Sequence, residues 1–286
     1  MSPLMNAEIM ILVFLFGASI GSFLNVVICR LPAGLSIVRP RSRCPHCGHN
    51  IVWWENIPIV SFILLRGKCR GCQAPISIQY PLVELLTAAL AVACYVRFGP
   101  SLAFFFYFAF LAMLVAISFI DIPHQIIPDE LSYSGVVLGV AASLVTGKVH
   151  IWDSVIGALV GFAIISLIVV GYYVLFKREG MGMGDAKLLA MIGAFLGWQS
   201  IPFVLFAGAV QGLVVALAAI GFGWMRKAPP LPDPAEAAEA ELKAETTEEV
   251  PLRLAAVPFG PFLSLAAMEF LFMGAYYLDL LRALKG

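Results

Sequence analysis

Two aspartates and one glutamate stand at places where the surrounding chain is apolar. Asp121 closes one apolar run in "AISFIDIPHQIIPDEL", Asp185 opens another in "GMGDAKLL", and Glu84 lies in "YPLVELLTA". Ionisable groups within membrane spans are costly and mark function by default. Two carboxylates held close together do not both ionise cheaply, so they come to share a proton. One can then act as base toward a water and the other as acid toward a carbonyl or leaving amine, which is aspartyl hydrolysis of a peptide bond. Gly180, Gly182 and Gly184 precede Asp185 at every second position. Such spacing offers backbone freedom and close approach for a substrate backbone. The simpler reading makes Asp185 a complement to a helix N-terminus and Asp121 an interfacial residue. Asp129 in "PDEL" reads as a helix N-terminal turn. Lys187 either pairs with a carboxylate or extends to the headgroups. The glycines fit neither a dinucleotide fingerprint nor a phosphate loop, since Asp185 and Lys187 occupy the required glycine positions.

Four of the six cysteines make two Cys-x-x-Cys pairs, "CPHC" (Cys44, Cys47) and "CRGC" (Cys69, Cys72). Two such knuckles predict a tetrahedral thiolate site for structural Zn2+. Gly48 and Gly71 would ease the two turns. His46 and His49 are alternative ligands, although four thiolates already fill a zinc site. The competing readings are unmetallated pairs or a redox dithiol. Cys29 and Cys94 lie in apolar segments and read as core residues.

These residues need elements to hold them, and composition says which. The 286 residues are 61% hydrophobic and 13% charged, with a mean hydropathy of +0.93. Ordinary soluble domains are about 45–50% apolar and about 25% charged. The fold class is therefore an all-α polytopic membrane protein. A span takes roughly 20 apolar residues, and eight candidates occur near 8–29, 80–98, 101–120, 131–147, 153–176, 186–198, 202–225 and 257–281. The sixth is short, so it is a partial helix or starts among the glycines. The first run reads as a span and not a cleaved signal, because Glu8 precedes it where a signal has basic residues.

The resulting organisation is a first transmembrane helix (1–29), a tetracysteine insert (30–79), a transmembrane core (80–225), an acidic Pro/Ala/Glu-rich linker (226–256) and a last transmembrane helix (257–286). The linker's composition is that of a solvated segment. With eight spans, 14 Lys and Arg fall on the side of the insert, the linker and both aspartates, and four on the other. The richer side is predicted to be cytoplasmic, with both termini outside. Zero net charge gives no bulk attraction to nucleic acid, and no nucleic-acid partner is expected.

Taken together, "GSFLNVVICRLP" (21–32), the two cysteine pairs, "YPLVELLTA" (80–88), "FIDIPHQIIPDEL" (119–131) and "EGMGMGDAKLLAMIGAFLGW" (179–198) resemble the bacterial type IV prepilin peptidases. The resemblance implies a G-x-G-D aspartyl protease of the bacterial inner membrane. Its catalytic pair would be Asp121 and Asp185, with Gly182 and Gly184 as motif glycines. Its substrates would be type IV prepilins and type II secretion pseudopilins, cut after a glycine at the cytoplasmic face of the lipid bilayer. It would then methylate the new N-terminal residue with S-adenosylmethionine. Gly67 and Lys68 match positions tied to methyl transfer, and Glu84 is a further candidate. The acidic stretch 231–249 departs from the family's pattern and is expected to be dispensable for cleavage. The runner-up is an ion-coupled secondary transporter, whose acidic site would lie near the midplane and not at span ends. A membrane scaffold is the third reading, and it predicts that both aspartates are silent on substitution.

Overall fold

The structure, a computed structural model, describes residues 3–177, 182–221 and 258–285. They form α1 (Pro3–Arg30), a 3-10 turn (Trp53–Asn56), α2 (Val60–Leu64), α3 (Gln79–Phe98), α4 (Leu102–His124), α5 (Asp129–Thr146), α6 (Ile151–Phe176), α7 (Met183–Leu196), α8 (Ser200–Gly221) and α9 (Gly260–Lys285). No strand occurs among the described residues; two isolated β-bridges, Arg43–Asn50 and Lys68–Pro75, lie in the insert. The linker, including 231–249, lies outside the described residues, as does Gly180.

Eight helices stand where eight spans are predicted, but among the described residues only five are long and apolar enough on their own to cross a membrane: α1, α3, α4, α6 and α8. The shortest, α7, has 14 residues, about 21 Å of helix against a hydrocarbon core of about 30 Å. Its packing explains how it survives. Every residue from Leu188 to Phe195 is buried, as are Asp185 and Ala186. A helix that is apolar on all sides belongs in an interior, and α7 is wrapped by α4, α5, α6, α8 and α9 and is not left to face lipid.

Small residues set that wrapping. A Cβ at Gly157 or Gly161 of α6 would sit 2.4 Å from the Gly193 carbonyl oxygen or 2.5 Å from that of Leu189. A Cβ at Gly139 of α5 would meet the Ala194 Cβ at 2.7 Å. Membrane helices gain little from hydrophobic burial against one another, so close backbone approach supplies dispersion contact instead. On the α4 side the Phe110 and Phe195 rings stack with centroids 4.4 Å apart. The Ser154 hydroxyl donates to the Ala194 carbonyl at 2.6 Å. A second polar link crosses α8 and α9, where Gln211 donates to Glu269 at 2.8 Å. The outer faces of α6 and α8 are apolar and exposed, as at Leu167 and Phe206, which suits lipid contact.

Candidate active site and metal centre

Asp121 sits in the last turn of α4. That turn ends because Pro123 supplies no backbone donor and Gln125 adopts a left-handed conformation (φ 54°) whose N–H closes on the Asp121 carbonyl at 2.8 Å. Pro128 then starts α5. Asp185 is the third residue of α7, after an extended Gly182 (φ −77°, ψ 149°). One aspartate therefore ends a helix and the other begins one. Both are buried, with 5% and 9% of their surface exposed. Ile127, in the α4–α5 connection, lies against Gly184 beside Asp185 and against Gly260 beside Asp121. The structure thus brings together the two aspartates that the sequence leaves 64 residues apart.

Sequence reasoning missed the third member of the site. The Gly260 N–H at the start of α9 donates to Asp121 Oδ2 at 3.1 Å. A Cβ at residue 260 would fall 2.6 Å from that same oxygen, so only glycine lets the amide approach so closely. The signal available in the sequence was "PFGPF" (258–262), a glycine between prolines at the head of an apolar run. Glu269 was also missed as an ionisable group within a helix.

The glycines before Asp185 play different parts. Gly184 is crowded, since a Cβ would lie 3.0 Å from that of Ile127. A Cβ at Gly182 would meet, among the described residues, only the Gly184 nitrogen at 3.9 Å, and its extended backbone is available to any residue. The expected need for unusual dihedrals therefore does not arise at Gly182; what it offers is uncovered backbone. Lys187 points away from the aspartate pair. It makes an ion pair with Asp129 of α5 at 2.5 Å and lies over the Tyr133 ring.

The four cysteine sulfurs of the insert lie within 4.8 Å of one another. Cys44 and Cys72 are 3.9 Å apart, and Cys47 and Cys69 are 4.0 Å apart. A tetrahedral zinc with Zn–S bonds of about 2.3 Å needs sulfurs about 3.8 Å apart, so the donor set fits. The two knuckles repeat one another. Cys44 N–H bonds the His49 carbonyl and Gly48 N–H the Cys44 carbonyl; Cys69 N–H bonds the Ala74 carbonyl and Gln73 N–H the Cys69 carbonyl. The left-handed residues of the pair are Gly48 (φ 72°) and Gln73 (φ 60°). Gly71 serves otherwise than expected, because a Cβ there would press on Cys47 Sγ at 3.3 Å and on the His49 Cβ at 3.2 Å.

His49 is not directed at the sulfurs. It bonds Glu55 at 3.0 Å, and Arg70 approaches the same carboxylate at 3.6 Å, so Glu55 ties one knuckle to the other. Burial pushes Glu55 up, but the His49 ring, the Val52 N–H and Arg70 together hold its carboxyl below the usual carboxylate range. Cys94 is buried as expected, whereas Cys29 is exposed beside the Tyr80 hydroxyl.

Gly67 (φ 67°) packs under the Phe62 ring, and Lys68 bridges to Pro75 just before the second knuckle. Glu84 is separate from both in chain position. It is buried on α3 and accepts the Ile59 N–H at 2.7 Å. Its neighbour Val83 and Ile120, the neighbour of Asp121, share one buried cluster.

The bacterial peptidase A24 N-terminal domain profile matches residues 15–98, and the type IV leader peptidase family profile matches 108–217. The chain is 38% identical to the prepilin leader peptidase/N-methyltransferase of Myxococcus xanthus, over 96% of this chain and 92% of that protein. It is 41% identical to the protein of the same description from Aeromonas hydrophila, over 77% and 84%, and 37% identical to that from Neisseria gonorrhoeae, over 70% and 79%. No solved structure gives a significant match.

Proposed function

The chain belongs to the type IV leader peptidase family, and from that premise we propose that it is a multi-pass membrane aspartyl endopeptidase that removes the leader of prepilins and pseudopilins and then N-methylates the new terminus. The observation that carries this reading is the burial of Asp121 and Asp185 at helix ends around the shared Ile127, with the Gly260 amide on Asp121. Two acids at a helix terminus suit a cut near the membrane face. They argue against a transporter, whose ion site lies near the midplane.

In the proposed reaction a water lies between the two carboxyl groups. One carboxylate takes its proton as the oxygen attacks the scissile carbonyl, and the other carboxylic acid donates to the carbonyl oxygen. Proton return to the amine then releases the leader, with no covalent intermediate. Fixed geometry is what this chemistry needs. The Gly260 N–H supplies part of it by holding one oxygen of Asp121. The uncovered backbone at Gly182 offers the substrate a place to approach.

Cys44, Cys47, Cys69 and Cys72 would hold Zn2+. A filled thiolate tetrahedron supplies folding energy to the insert and no reactive position. For methylation the donor would be S-adenosylmethionine. Gly67 and Lys68 are candidates by resemblance, and Glu84 is engaged with the Ile59 amide, so its place in methyl transfer rests on resemblance alone.

The deciding experiment incubates the purified chain and S-adenosylmethionine with a prepilin carrying a Gly–Phe junction. Mass spectrometry should show loss of the leader and a gain of one methyl group. Intact prepilin, or cleavage that persists in Asp185→Ala, would overturn the reading.

A further inference from the structure

The tetracysteine insert carries an apolar face that no other described residue covers. Trp53 is 76% exposed, Ile63 66% and Leu64 76%, and Val60 is also exposed. These residues come from the 3-10 turn and α2, two short elements packed together. A soluble domain standing free in water rarely gathers so much exposed apolar surface in a dozen residues.

The anchoring of that segment fixes its depth. The Ile59 N–H, directly before α2, is held by Glu84 at 2.7 Å. Ile59 takes a positive φ of 62° to do so, a conformation a β-branched residue adopts only when its surroundings enforce it. Glu84 is the sixth residue of α3, so it lies about 8 Å along the helix from Gln79. On α1 it is level with Gly21, whose Cβ would meet the Glu84 Cα at 2.7 Å. Gly21 lies nine residues, about 13 Å of helix, before the end of α1 at Arg30. Both helices are apolar and long enough to span. The loop that leads into α2 is therefore pinned beside two spanning helices at a level well inside their ends.

Charge agrees with depth. Residues 30–79 hold seven Lys and Arg and one acid, Glu55, and Glu55 is occupied by His49 and Arg70. Arg39, Arg41, Arg43, Arg66 and Lys68 are exposed. Tryptophan and aliphatic side chains beside a basic surface are what a segment lying in a headgroup layer presents.

We infer that the face formed by Trp53, Val60, Ile63 and Leu64 docks on the bilayer that the helices span, inserting below anionic phospholipid headgroups that its arginines and lysine engage. The insert then lies on the membrane and does not project from it.

The test uses the full-length chain in vesicles of phosphatidylcholine with and without phosphatidylglycerol. Trp53 is left as the sole tryptophan by W54F, W152F, W198F and W224F. Phospholipids brominated high on the acyl chains should cut Trp53 emission to about half or less, as for an interfacial indole. Aqueous iodide should quench it little. The double substitution I63E with L64E should remove the bromolipid quenching while zinc content stays unchanged. Replacing Arg66 and Lys68 by Gln should abolish any deepening caused by phosphatidylglycerol. Free iodide access with no bromolipid effect in the otherwise unaltered chain would overturn the inference. So would quenching that appears only as protein density in the vesicle rises, since a second copy would then cover the face. None of these readings depends on peptide cleavage.

Discussion

At the scale of the residue, the site rests on three groups from three parts of the chain, and each has a separable test. Asp121→Asn and Asp185→Asn keep the side-chain shape but remove an ionisable oxygen, so each should abolish prepilin cleavage while the protein still inserts and binds zinc. Gly260→Ala is subtler. The added methyl would lie 2.6 Å from Asp121 Oδ2, which must shift the carboxylate or break the 3.1 Å amide bond. A displacement of that size in a positioned group costs about 100-fold in rate. The expectation is a fall in kcat of that order with little change in KM, read by single-turnover cleavage. Lys187 sits two residues from Asp185, yet its partner is Asp129, which is mostly exposed. Such a pair contributes about 0.2–1 kcal/mol. Lys187→Met should therefore lower thermal stability slightly and leave the cleavage rate near that of the unaltered chain; a large loss of kcat would place Lys187 in the catalytic machinery.

The elements are fitted by opposite means. In the bundle, glycine removes side chains so that backbones touch. Gly157→Val or Gly193→Val would drive a side chain into a carbonyl less than 2.5 Å from its Cβ, and overpacking of this kind costs about 1–3 kcal/mol or more. Either should lower the melting temperature in detergent and, by tilting α7, move Asp185 away from Asp121, so activity should fall with stability. In the insert, four clustered cysteines do the fitting. Cys44→Ser or Cys72→Ser should lower bound zinc, measured by atomic emission, and loosen the knuckles joined by Glu55. Methylation should suffer more than cleavage, because Gly67 and Lys68, the candidates for methyl transfer, adjoin the second knuckle while the aspartates lie on other helices.

For the whole molecule, the acidic stretch 231–249 is the clearest prediction. Its removal should leave cleavage intact, provided enough chain remains between α8 and α9 for Gly260 to reach Asp121; a shortened chain that still inserts but fails to cut would show the linker sets that reach. Much of the molecule was legible in the sequence. Apolar run length located eight helices to within a few residues, Cys-x-x-Cys spacing located the four-cysteine cluster, and charged residues at the ends of apolar runs located both aspartates. These are local signals, set by hydration and by the geometry of one turn. The chain by itself does not say why a 14-residue helix persists, that Gly71 and Gly184 are glycines because a neighbour crowds them, that Lys187 turns toward Asp129, or that the amide on Asp121 comes from residue 260. Those are decided by contacts between residues 22 to 139 positions apart, and short-range dispersion and hydrogen bonding act only once packing has brought the partners within a few ångströms.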